Sequence, residues 1–511
     1  MKRSKGVMTM ARKATERSGK VAEEQVLNLE EAAETLGVSR STLYRWQQQG
    51  RIRGFKVGRQ WRFRRSELEK FSQATHPSAA SVNVSELDTA LAELSARQAA
   101  EVTFDPPVIG YPATEEEKAV ENAFAAILAA AAESGASDIH IDAERSDSVV
   151  RQRIDGVLHE ALRVPKSSHA ALVACIKAHG GIPVDQRSLP QDGRFTFRTG
   201  EAEFDVRTAT IPAVYGESVV MRLLDQKATL IRLDGPIGMY PEDLERYRRA
   251  LRAPVGMLLV CGPTGSGKTT IMYAGLLEIA RSELKVMSVE DPVEYSFPHV
   301  TQIAVNKKAG LTFEAGLRSL LRHDPDVIMC GEIRTLETAE TCAQAAITGH
   351  LVMTTLHTET APAAVTRLLD MGLEPFIVAQ TLLYVSAQRL ARKVCPECKQ
   401  PDEPDLRVLS PLVASARRGG YDLPDKPTFM RGAGCDHCRH TGYHGRTGIY
   451  ECMEVDREIQ RLIARRATTE EILEAAVRGG MRTLAADGLR KAAEGITSVA
   501  EVERVVPVLS P

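Results

Sequence analysis

The 511-residue chain has no apolar run long enough to cross a bilayer: stretches such as Met257 to Cys261 fall far short of the roughly 20 residues a span needs. A secretory signal is missing too, because Lys2, Arg3, Lys5, Arg12, Lys13, Arg17 and Lys20 are followed by no apolar segment, and residence in the cytoplasm is expected. Aromatic residues make up only 5% of the chain, yet 43% is apolar and 26% charged, which excludes wholesale disorder and allows several buried cores. That length predicts about three to five domains. Cysteine is sparse: there are nine, an odd count, and four of them fall into two CxxC pairs. This argues for a metal site in a reducing compartment rather than a disulfide framework. Internal repeats are absent.

The net charge of −2 hides an asymmetry. Residues 1–75 hold 17 Lys and Arg against 8 Asp and Glu, and the remainder 48 against 59, so the front end suits a polyanion. Residues 1–25 read as a disordered basic tail. From 26 to 73, Leu29, Ala32, Ala33 and Leu36 at helical spacing, Gly37 as a stop, and a second helix with Leu43 and Trp46 predict helix, turn, helix. Ile52, Phe55, Val57, Trp61 and Phe63 around Gly58 add a two-stranded wing, giving a winged helix-turn-helix. Residues 74–113, rich in Ala, Ser and Pro, read as a linker ending near the breaker Asp105-Pro106-Pro107. An α/β domain is expected over 114–231 and a second over 232–390, whose strands alternate with helices and imply a mostly parallel sheet. A Cys-, Gly- and His-rich module (391–450) and C-terminal helices (451–511) follow.

Gly262-Pro263-Thr264-Gly265-Ser266-Gly267-Lys268-Thr269 fits G-x-x-x-x-G-K-[ST], with an apolar strand before it and a helical run from Thr270 after it. Such a loop turns backbone N–H groups onto phosphates, the Lys268 ammonium reaches the terminal phosphates, and Thr269 ligates Mg²⁺. Hydrolysis also needs carboxylates. Glu290, Asp291 and Glu294 follow one strand, and Glu332 stands just past another, where ligands bind in parallel sheets. His350 and His357 flank the strand 351–355; the residues alone leave both open to a purely structural role, while His357, at a strand end, could sense a γ-phosphate. The residues leave open which of Glu290, Glu294 and Glu332 activates water.

GPTGSGKTT, VEDPVEY, LRHDPDVIMCGEIR and TGHLVMTTLHT, in this order, resemble the secretion ATPases of type II secretion and type IV pilus assembly. ASDIHID, VRQRIDGVL, SLPQDGR and GESVVMRLLD resemble that family's preceding domain, so the likeness spans about residues 114–511. The resemblance implies a multidomain α/β protein: a RecA-like P-loop NTPase with an upstream PAS-like α/β domain, working as a homohexameric ring on an inner-membrane platform protein. Carried over by motif, Lys268 and Thr269 are the Walker A pair, Glu332 the Walker B acid on Mg²⁺, Glu294 the water-activating base, and His357 part of the histidine box. Arg194, Arg207 and Arg222 match phosphate-facing arginines, and Arg318 and Arg322 match arginines near subunit contacts. There are two departures from the pattern: Thr335 stands where Asp is frequent, and the dipeptide Glu359-Thr360 replaces Asn-Asp.

Cys395, Cys398, Cys435 and Cys438 form two CxxC knuckles 36 residues apart, enough to close a structural Zn²⁺ site, with His437, His440 and His444 as substitute ligands. In the resembled family such elements mark the assembly and secretion branch. Between Arg40 and Arg65 there are nine Lys and Arg and no acid, a phosphate-binding strip. TLGVSRSTLYRWQQQGRIRGFKVGRQWRF resembles the excisionase and MerR type of DNA-binding domain, which implies that Ser41, Thr42, Tyr44, Arg45 and Gln48 on the recognition helix and Arg59 and Arg62 on the wing face double-stranded DNA. Docking to a protein or a membrane surface is the other reading of this segment. The function expected is an ATP-driven motor for pilus or pseudopilus assembly or export, peripheral to the inner membrane. The alternative is a DNA-binding regulator or DNA-uptake motor that uses the P-loop domain as switch or engine.

Overall fold

Strands with unbroken apolar runs can be buried on both faces, and in the computed structural model those predicted beyond residue 232 line up side by side in one sheet. The structure describes residues 26–35, 40–48, 52–58, 60–68, 102–105, 114–225, 232–235 and 237–507. They fall into two units: one runs to Leu223 without Arg153–Leu158, and the other takes that segment and the chain from Leu224 onward.

In the first unit, β1 (Val26–Asn28) leads into helix Leu29–Thr35, helix Arg40–Gln48 follows, and β2 (Phe55–Val57) and β3 (Gln60–Arg64) close the module in the order β1-β3-β2. The expected two-stranded wing gains a third strand because Leu27 pairs opposite Phe63 and both are buried. Asn28 starts the first helix: its side chain accepts from the Glu30 and Glu31 amides, and Glu31 accepts from the Asn28 amide. Leu27, Ala32, Ala33, Leu43, Ile52, Phe63 and Leu68 form the small core, with Trp46 and Trp61 against it. Leu36, Gly37 and Val38 lie outside the described residues, as does the 1–25 tail.

The same unit holds a seven-stranded sheet, order β4-β8-β9-β10-β5-β6-β7, built from β4 (Val102–Asp105), β5 (Asp138–Ala143), β6 (Asp147–Ile154), β7 (Val157–Pro165), β8 (Gln191–Thr199), β9 (Ala202–Ala213) and β10 (Gly216–Asp225). Strand β4 falls in the segment read as a linker. It pairs antiparallel with β8, and its Phe104 ring meets Phe124 at 5.6 Å and His179 at 3.9 Å. Four residues with only two apolar side chains are too short a signal beside Asp105-Pro106-Pro107 to be read as a strand.

In the second unit, β11 (Gly256–Cys261), β12 (Val286–Glu290), β13 (Val300–Ala304), β14 (Val327–Cys330), β15 (Leu351–Leu356), β16 (Leu382–Val394) and β19 (Tyr443–Glu454) form a sheet in the order β13-β12-β14-β15-β11-β16-β19. All its pairings are parallel except β16 with β19. Alternate side chains divide between two cores: Met257, Leu259, Ile328 and Val352 face one, and Leu258, Val260, Met329 and Met353 the other. A sheet so covered leaves its strand ends as the place for a ligand. The short strands β17 (Lys399–Pro401) and β18 (Met430–Gly432) and helix Leu406–Arg418 lie between β16 and β19. The expected boundaries at 390 and 450 thus fall inside strands. Leu412, Ala416 and Phe429 share one core with Ile459, Ile472 and Leu489 of the terminal helices, so the cysteine segment is an excursion from the main sheet with no core of its own.

Candidate active site

Four loops meet at the C-terminal edge of the parallel strands. The P-loop leaves β11, Glu290 ends β12, Glu332 stands two residues beyond β14, and His357 follows β15 at once. Backbone hydrogen bonds hold these loops together: Gly262 N–H donates to Leu356 O, Gly331 N–H to Val289 O, and Ile333 N–H to Thr355 O. Gly262 and Gly267 have φ of 143° and 89°, and a Cβ would lie 2.6 Å from Gln388 O at the first and 2.7 Å from Gln388 Nε2 at the second. Only glycine fits this turn against β16. Gly267 opens helix Lys268–Ile279, whose amides face the loop. Lys268 Nζ donates to Gly262 O at 2.8 Å and Pro263 O at 3.0 Å, and burial holds its pKa below the usual lysine value. Pro263, Thr264, Gly265, Thr269 and Thr270 are exposed, whereas Ser266 is buried with its hydroxyl unpartnered.

The three candidate acids differ. Glu290 is buried, and its oxygens accept from Tyr273, from Ser288 at 2.6 Å and from Gln302 at 3.1 Å, a closed structural network. Glu294 is half-buried, and its amide donates to the Tyr273 hydroxyl at 3.2 Å. Glu332 pairs with Arg334 at 2.6 Å through one oxygen and with His357 Nε2 at 3.2 Å through the other. Burial opposes its charge, but Arg334 and His357 outweigh that and keep the carboxyl below the ordinary range. Arg334 was not singled out in the sequence, although it follows Glu332 in the GEIR run, and neither was the buried Gln388-Arg389 pair behind the P-loop. His350 instead turns back onto its own chain, with Nδ1 at 2.9 Å from Ala345 O.

Arg194, Arg207 and Arg222 lie in the first unit. Arg194 pairs with Asp205 at 2.5 Å and Arg222 with Asp138 at 3.0 Å. Arg318 pairs with Glu337, and Arg322 donates to Arg318 O at 2.9 Å.

A family model described as Type II/IV secretion system protein matches residues 113–504, and one described as Helix-turn-helix domain matches residues 26–75. The chain belongs to the type II/IV secretion system protein family. The type II secretion system ATPase E of Vibrio cholerae is 44% identical over 77% of this chain and 76% of its own length. The type IV pilus assembly ATPase PilB of Thermus thermophilus is 42% identical over 76% of this chain and 43% of its own. Among solved structures, the pilus retraction motor PilT with bound ADP is 25% identical with a TM-score of 0.50, covering 74% of this chain and 94% of that one. This secretion-family chain is accordingly an ATPase. No helix among its described residues is long and apolar enough to cross a membrane.

The secretion ATPase gathers Cys395, Cys398, Cys435 and Cys438, whose sulfurs all lie within 4.8 Å of one another. Sγ–Sγ distances of 3.9 Å (395 to 435), 3.7 Å (398 to 438) and 3.7 Å (435 to 438) compare with about 3.8 Å for a tetrahedron of about 2.3 Å Zn–S bonds. Burial opposes ionisation of Cys438, yet the Cys435 and Gly442 amides, each 3.2 Å from its sulfur, help hold its pKa down at about 6. The donor set fits Zn²⁺. His437, His440 and His444 are exposed outside the cluster: His440 pairs with Asp436 at 3.3 Å, and the rings of His437 and His444 sit 4.3 Å apart.

Ser41, Thr42, Tyr44, Arg45 and Gln48 all fall on helix Arg40–Gln48. Tyr44 is exposed, and Arg62 on β3 is half-buried and donates to Gln60 Oε1 at 3.0 Å. The side chains of Ser41, Thr42, Arg45 and Gln48, and Arg59 entirely, lie outside the described residues.

Proposed function

We propose that this ATPase is the motor of a pilus-, pseudopilus- or protein-exporting system, working in the cytoplasm as a homohexamer on an inner-membrane platform protein. The observation that carries the reading is Glu332, held between Arg334 and His357 at the same sheet edge as the P-loop. Lys268 and the P-loop amides bind the ATP phosphates, and Thr269 and Glu332 would hold Mg²⁺. Bound there, Mg²⁺ would neutralise charge developing on the phosphates. Glu332, whose carboxyl Arg334 and His357 hold below the ordinary range, is the better placed of the acids to orient or deprotonate water, and Glu294 is the second candidate; Glu290 is spent on structure. His357, bonded to Glu332, reports the γ-phosphate to the loop it begins.

Steady-state ATP turnover of the full chain, with and without duplex DNA and beside Lys268→Ala, tests the motor. DNA-independent turnover that Lys268→Ala abolishes supports it, and turnover only with DNA overturns it in favour of a DNA-dependent engine. The four cysteines hold a structural Zn²⁺, so metal analysis of purified protein should give one per chain, and substantially less sinks the assignment. A second reading concerns the front end: the cationic strip on a helix-turn-helix favours duplex DNA as its ligand.

A further inference from the structure

Glu451 of β19 is 2% exposed and faces three other elements. One of its oxygens accepts the Ala361 N–H at 2.7 Å, and the other the Leu484 N–H at 3.3 Å. These amides belong to the first residues of helices Ala361–Asp370 and Leu484–Ala493, while the helix caps Thr360 and Thr483 accept from Ala363 and Ala486. First-turn amides have no partner within their own helix and are commonly left to water or to a cap. Here one buried carboxylate joins two such ends, 123 positions apart in the chain. From β16 the charged neighbour is Arg389, 7% exposed, which donates to Gln388 O at 3.0 Å and Glu359 O at 3.1 Å. From β11, the Cys261 thiol donates to Thr360 O at 3.5 Å. On the terminal helix, Asp487 accepts the Tyr450 amide at 2.9 Å and pairs with Lys491. Burial pushes the Glu451 carboxyl up to about 7, against the two amides and Arg389, which favour its charge.

The segment from His357 to Ala361 is therefore gripped at three successive residues: at Glu359 by Arg389, at Thr360 by Cys261 and at Ala361 by Glu451. Only the last of these grips also holds the terminal helices. We propose that Glu451 is a positioning residue that ties the His357 loop to helix Leu484–Ala493, so that the setting of His357 against Glu332 and the packing of the C-terminal helices move together. Buried and bonded to the two helix ends, it acts through the loop. This inference rests on the reading of His357 as facing the γ-phosphate.

The test is hydrogen exchange on the full-length wild type, with and without Mg²⁺ and a non-hydrolysable ATP analogue, paired with the kinetics of Glu451→Gln. Nucleotide should slow exchange both in peptides covering 357–363 and in peptides covering 482–488. Protection at 357–363 with none at 482–488 overturns the coupling, whereas no protection at 357–363 overturns the reading of His357 itself. In Glu451→Gln one oxygen becomes an NH₂ group that confronts an N–H, so kcat should fall about tenfold with the KM for ATP within about twofold and nucleotide protection lost at 482–488. Wild-type kcat, or a parallel loss of kcat, KM and thermal stability, makes Glu451 purely structural. If the variant does not fold, the wild-type exchange experiment still decides.

Discussion

Thr335 and Thr360, each standing where the resembled pattern has Asp, do the same local work. Thr335 accepts the Thr338 amide at 3.2 Å at the start of helix Leu336–Ile347, and Thr360 the Ala363 amide at 3.3 Å at the start of helix Ala361–Asp370. Asp and Thr are both good N-caps, so Thr in place of Asp keeps the cap while removing a charge from the edge of the nucleotide site. Thr335→Ala should destabilise by about 1 kcal/mol, and Thr335→Asp should be near neutral, as read from denaturant midpoints. Equal midpoints for Ala and Asp would remove the cap from the account. Glu332 illustrates the opposite case, where charge is the proposed function. Glu332→Gln should still bind ATP, because the P-loop is untouched, but lose turnover by about 10² to 10³-fold. Near-normal turnover in that variant would move the water-activating role to Glu294.

At the scale of elements, motifs with a fixed chemical spacing were legible and cooperative placements were not. The P-loop, the acid after β14 and the cysteine knuckles could be read because each requires its residue types at set separations. Strand β4 escaped, since its burial comes from Phe104 packing on the distant Phe124 and His179. Arg334 and Arg389 escaped because an arginine declares its partner only in the fold. His179 makes a testable consequence of that aromatic packing: buried among Phe104, Phe124 and Phe195, with Nδ1 unpartnered and Glu121 3.9 Å from Nε2, it has its pKa lowered to about 4 by burial. A histidine kept neutral in the fold contributes stability that is full above its unfolded pKa of about 6.5 and is lost as pH falls toward 4. The melting temperature of the wild type should thus drop between pH 7 and pH 5 by more than that of His179→Phe, and identical pH slopes would refute it. The proposed Zn²⁺ makes a prediction at the same scale: chelation should lower the melting temperature, because the excursion between β16 and β19 would lose the metal that joins its four sulfurs.

For the whole molecule, an ATPase whose family model matches residues 113–504 also carries a segment that matches a helix-turn-helix model at 26–75. The charge follows this division: +9 over residues 1–75 and −11 over the rest. A net-acidic body discourages polyanions elsewhere on the surface, so any duplex bound should sit on the front module. Binding of this kind releases counterions, and if about six phosphates are contacted, affinity should fall by about 10³-fold between about 50 and 200 mM salt. The full chain should show that slope in fluorescence anisotropy with a labelled duplex, and Tyr44→Ala should weaken binding while leaving the slope unchanged, since Tyr44 is exposed on helix Arg40–Gln48 and carries no charge that displaces a counterion. ATP turnover should be the same with and without that duplex, because the proposed catalytic groups at the strand ends, Lys268, Glu332 and His357, all lie in the ATPase segment. A flat salt response would eliminate DNA and leave the module as a docking surface for protein. A duplex-dependent rate would instead make the helix-turn-helix part of the engine.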